Sequence, residues 1–75
     1  MTKIRDEELL KKFGENLRRI RWEKGISQET LAFKANIQPS QVARIERGEL
    51  NTTISTINII AKALEIDLKE LFNFS

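Results

Sequence analysis

Apolar residues recur along this chain at three- and four-residue spacings, the period of one face of an α-helix, and the pattern predicts an all-α fold. Leu9, Phe13, Leu17 and Ile20 form one stripe of a helix from about Asp6 to about Lys24, where Gly25 stops it. Gly14 interrupts that helix at a cost of about 1 kcal/mol relative to Ala, which a close packing contact would offset. Leu31, Ala32 and Ala35 mark a second, shorter helix opened by Ser27, whose hydroxyl can accept from a free amide of the first turn. Asn36 suits a tight turn, since asparagine follows glycine in tolerance of a left-handed backbone. Pro39 can open a third helix at its first position, where a missing amide costs nothing, and Val42 and Ile45 are its buried face. Thr53 caps a fourth helix that buries Ile57, Ile60, Ala61 and Leu64. Asp67 begins a fifth of about two turns, with Glu70 at capping-box spacing and Leu68, Leu71 and Phe72 as apolar surface. Residues 1–5 carry no apolar period and are expected to be flexible, and all five helices are expected to share one core in a single domain over residues 1–75.

Ser27 to Gly48 organises the rest, because two short helices meeting at a turn make a helix-turn-helix. The positions that point outward from the second of them are Ser40, Gln41, Arg44 and, one turn later, Arg47. All can form hydrogen bonds and none is acidic, so the row can read base edges. The stretch resembles the lambda-repressor-like family, the Cro/C1 or XRE type, through Gly25-Ile26-Ser27-Gln28, Leu31-Ala32 and Arg44-Ile45-Glu46-Arg47-Gly48. The likeness continues through Ile57, Ala61-Lys62-Ala63-Leu64 and Leu68, from about residue 13 to about residue 72. It implies a compact five-helix bundle and a small transcriptional regulator, akin to controller proteins or phage repressors, that binds double-stranded DNA with sequence specificity.

Composition narrows the alternatives. The chain has 75 residues, a size at which one core is marginal and a second copy would add buried surface. It has neither cysteine nor histidine, which removes disulfides, a thiol nucleophile, an imidazole base and histidine-based metal sites. No paired carboxylates, phosphate-cradling glycine loop or metal-ligand cluster stands out, so the expectation is no enzyme, no cofactor and no metal. The start lacks a signal-type apolar run and no stretch approaches membrane-spanning length, so the expected location is cytoplasmic with no membrane partner. Net charge is only +2, yet residues 1–48 carry 11 Lys and Arg against 7 Asp and Glu, whereas residues 49–75 carry 2 against 4. The positive part contains the helix-turn-helix, which suits a phosphate partner.

The resemblance implies roles residue by residue. Gln38, Ser40, Gln41 and Arg44 match positions that face the major groove, where Arg pairs bidentately with guanine and Gln with adenine. Pro39 departs from the polar residue often found at its position and offers apolar contact alone. Gln28, at the start of the first motif helix, matches a phosphate contact beside free amides. Arg47 and Asn51 match positions along the sugar-phosphate track, which fix docking without reading sequence. Arg21 and Glu46 match an internal salt bridge between the first helix and the end of the recognition helix. Trp22 points away from the core and either packs on the flank of the first helix or belongs to an interaction surface. Ile54, Ile59, Ile66, Phe72 and Phe74 exceed what one core needs on one side, so they either form a dimer seam or complete the monomer. The expected seam is Leu71, Phe72 and Phe74, in a homodimer on a palindromic operator. The competing reading is a protein-interaction module, antitoxin-like, whose apolar C-terminal surface binds another protein.

Overall fold

A computed structural model describes residues 4–75. It contains four α-helices, α1 (Glu7–Glu23), α2 (Gln28–Ala35), α3 (Pro39–Glu46) and α4 (Ile54–Leu64), followed by a 3₁₀ helix (Leu68–Phe72); no strand occurs among the described residues. Side chains satisfy the orphan amides at three helix starts: Asp6 accepts from Leu9 N at 3.0 Å, Ser27 from Thr30 N at 3.0 Å and Thr53 from Thr56 N at 3.1 Å. Pro39 opens α3, where Gln38 stands at the cap position without a side-chain bond. All four helices end in the same way. The residue past each end folds back onto the last turn, as in Ile26 N to Arg21 O, Ile37 N to Ala32 O, Glu49 N to Arg44 O and Ile66 N to Ala61 O. Asn36 takes the left-handed conformation at φ 57°. Glu65 takes it at φ 59°, a position that no turn residue marks.

One cluster holds the domain together: Phe13, Leu17 and Ile20 from α1, Leu31 and Ala32 from α2, Val42 and Ile45 from α3, Ile60, Ala61 and Leu64 from α4, and Leu71 from the 3₁₀ helix. Ile26, Ile37 and Ile66, each following a helix-ending turn, pack against it, so every reversal is anchored by an apolar side chain. Leu9 departs from the expected stripe. It is exposed while Leu10 is half-buried, because α1 overhangs the core at its start and buried contact begins at Phe13. Gly14 lies where a Cβ would overlap the carbonyl oxygens of Ile45 and Glu46. The helix-propensity cost of this glycine is therefore what lets α1 touch the backbone of α3.

The C-terminal element corrects three expectations. The fold has four α-helices rather than five, because Leu68–Phe72 winds as a 3₁₀ helix and Asp67 makes no side-chain cap bond. The Asn16 amide donates to the carbonyls of Glu70 at 3.0 Å and Leu71 at 2.9 Å, which ties the 3₁₀ helix to α1. Leu71 is fully buried within one chain and offers no surface to a partner. Phe72 is partly exposed, with its ring 5.1 Å from that of Phe13, and Phe74 is half-buried against the core. At the other end, residues 1–3 lie outside the described residues, so that part of the expected flexible segment does too. Ile4 and Arg5 are tied down: Asn51 donates to Ile4 O at 3.1 Å and Arg5 donates to Glu49 O at 2.9 Å.

Candidate nucleic-acid interface

The buried face of α3 decides which of its side chains can meet a ligand. Val42, Ile45 and Glu46 turn inward, which leaves Gln38, Ser40, Arg44 and Arg47 exposed and Gln41 half-buried on the other side. α2 braces this arrangement, since Leu31, Ala32 and Ala35 are buried and the Asn36 turn sets the angle at which α3 leaves. The result is a short helix with hydrogen-bonding side chains along its exposed edge.

Behind that edge sits a charged hub. Glu46 has a fully buried side chain, and its two oxygens accept from Arg21 Nε at 2.6 Å and Arg21 Nη2 at 3.0 Å. Gln28 Nε2 at 2.9 Å and Arg18 Nε at 3.4 Å complete the shell. Burial pushes the carboxyl up, but the hydrogen bonds from Arg21, Gln28 and Arg18 and the charge of Arg21 together hold it below its ordinary value. Arg21 Nη1 donates to Ile26 O at 2.9 Å. Among the described residues no buried side-chain nitrogen or oxygen lacks a partner. Glu46 thus ties α1, α2 and α3 at one point, and Gly14 lets α1 approach close enough for it. Gln28, matched by resemblance to a phosphate contact, uses one amide hydrogen in this hub and keeps the other.

The far end of α3 carries a second ion pair, exposed rather than buried. Arg47 donates through Nε to Glu49 Oε2 at 2.8 Å and through Nη2 to Glu49 Oε1 at 3.1 Å. The intervening Gly48, at φ 73°, folds the two side chains onto each other, and a Cβ there would press on Lys11. The pair holds the Glu49 carboxyl below and the Arg47 guanidinium above their ordinary values, through the hydrogen bonds each makes to the other. Asn51, matched to the same phosphate track, has its amide on Ile4 O.

The helix-turn-helix family model matches residues 17–71, which span α2, α3 and α4 and most of what packs on them. The chain belongs to the helix-turn-helix family. It is 39% identical over 64 residues to the control protein C.BamHI of Bacillus amyloliquefaciens, covering 84% of this chain and 79% of that protein. It is 38% identical over 58 residues to the immunity repressor of Bacillus phage phi105, covering 77% of this chain and 40% of that longer protein. Its fold matches the crystal structure of the restriction-modification controller protein C.AhdI from Aeromonas hydrophila at 48% identity and a TM-score of 0.83, over 84% of this chain and 96% of that one.

Three residues at this surface escaped the sequence reading. Arg18 reaches both Glu46 and Trp22, whose ring centroid lies 5.9 Å from its guanidinium, and the four-residue spacing of Arg18 and Trp22 was a visible sign. Trp22 itself is 66% exposed and meets Arg18 on the flank of α1. Arg5 and Glu49 gave no sign, because they meet across 44 positions of sequence. Among the described residues no helix is long and apolar enough to cross a membrane, and no group of acidic residues is placed to hold a metal ion.

Proposed function

We propose that α3, from Pro39 to Arg47, enters the major groove of double-stranded DNA and gives the chain its activity as a sequence-specific transcription regulator. The observation that carries this is the row Gln38, Ser40, Gln41 and Arg44, held on one edge by the burial of Val42, Ile45 and Glu46 on the other. Arg44 reads guanine and the glutamines read adenine, while Gln28, Arg47 and Asn51 contact phosphates and set the register. Regulation by occupancy in the cytoplasm, without catalysis, fits a chain similar to control proteins and a phage repressor.

A homodimer would place two such helices in major grooves about 34 Å apart, on an operator with two related half-sites. Its seam centres on the cleft between the start of α1 and the loop before α4, lined by Leu9, Leu50, Ile57 and Phe72. Leu71 is excluded by its burial, and Phe74 lines a separate depression with Lys12, Glu15, Asn16 and Arg19.

Selection of bound duplexes from a random pool tests both parts. A recovered motif with two half-sites about one helical turn apart is the expected outcome. Recovery of no motif would remove the base-reading role of α3. A wild-type chain that sediments as a monomer at high micromolar concentration, and fills its half-sites without cooperativity, would remove the dimer.

A further inference from the structure

Arg47 and Glu49 raise a question that the phosphate-contact reading leaves open: the guanidinium meant for DNA is already engaged. Glu49 presents two oxygens to the planar fork of Arg47 at 2.8 and 3.1 Å, the arrangement that a phosphate would also offer. Arg5, whose guanidinium is paired with Glu7, and Arg44 line the same shallow depression as Glu49, so the Glu49 carboxylate lies in a cationic setting at the end of α3. Arg5 donates to the main-chain carbonyl of Glu49, and Asn51 is held on Ile4 O, which together fix the loop that carries the carboxylate.

We infer that Glu49 is a built-in substitute for a DNA phosphate, exchanged for a real one on operator binding, and that it disfavours DNA that does not match the operator. The proposal rests on the reading above that the end of α3 lies against the sugar-phosphate backbone. An exposed ion pair is weak in water, so a phosphate can displace Glu49 once base contacts bring it within reach. On unmatched DNA the docking is loose and Arg47 remains with Glu49. One phosphate contact is then not made, and a negative charge stays beside the duplex. Glu49 is thereby a specificity-determining residue that touches no base.

The test measures binding of the parent, Glu49→Gln, Arg47→Ala and the double variant to the selected operator and to an unrelated duplex, across a range of salt. Glu49→Gln is expected to tighten binding to the unrelated duplex roughly three- to tenfold at 0.1 M salt and to steepen the log–log salt slope by about 0.9. Operator binding should tighten less, so the ratio between the two duplexes falls. In the Arg47→Ala background the gain should vanish. An equal gain with and without Arg47 would overturn the exchange, since Glu49 would then act as a general repelling charge. So would a silent Glu49→Gln beside a weakened Arg47→Ala, with the phosphate reading left standing. An Arg47→Ala chain that binds both duplexes like the parent takes Arg47 out of the interface, and the exchange falls with that reading.

Discussion

Two arginine–glutamate pairs meet at the end of α3, their glutamates three residues apart, alike in chemistry and opposite in setting. Arg21 and Glu46 meet at 2.6 and 3.0 Å with both side chains nearly or wholly buried, and Arg47 and Glu49 meet at 2.8 and 3.1 Å with both about half exposed. The geometry of the bonds is nearly the same, so what separates the pairs is what surrounds them. The Glu46 carboxylate is fully buried and Arg21 nearly so, and removing one partner strands the other in a medium that solvates it poorly. Around Glu49 water can take either partner's place, and a phosphate can take that of the carboxylate. The buried pair therefore fixes where α3 sits, whereas the exposed pair is free to exchange.

The largest effect that could break this contrast is at Glu46. Glu46→Ala strands Arg21 and should cost about 3–5 kcal/mol of stability, read as a lower urea midpoint. A shift near zero would show that the hub adds nothing and would collapse the distinction.

Acid tests the same bond without mutation. The Glu46 carboxyl is held below its ordinary value of 4.5, so its contribution is complete at neutral pH and down to about that value, and is lost as pH falls through the lower folded value. Stability followed by circular dichroism should decline below pH 4.5, and Glu46→Gln should flatten much of that decline.

Gly14→Ala probes the packing that brings α1 to the hub. The added methyl would overlap two carbonyl oxygens of α3, so a loss of about 1–3 kcal/mol is expected despite the better helix propensity of alanine. Operator affinity should fall further than affinity for unrelated DNA, because the overlap moves the recognition helix itself. Retention of full stability would mean that α1 and α3 are looser than their contact implies.

The smallest effect sharpens the other side. Glu49→Gln should leave the urea midpoint unchanged within error while altering DNA binding, since its partner stays hydrated when the pair is lost. A clear loss of stability would make the two pairs alike.

The four α-helices were legible in the sequence because their signals are local. Ser27, Thr53 and Asp6 meet amides three residues on, Asn36 takes a conformation that few residues accept, and apolar spacing marks the buried faces. Burial of Val42 and Ile45 then puts Ser40, Arg44 and Arg47 on the opposite edge, so the exposed row also followed from periodicity. The tertiary structure decided the rest. Leu68–Phe72 winds as a 3₁₀ helix held by Asn16, more than fifty positions away, whose amide donates to its carbonyls. Leu71, equally apolar in sequence to the exposed Phe72, went to the core because packing left a space for one and only a cleft edge for the other. The engagement of Gln28 with Glu46 and of Asn51 with Ile4 also required distant segments to arrive together. Spacing along a chain specifies which face a side chain takes, but the partner that it meets there is set only when the helices pack.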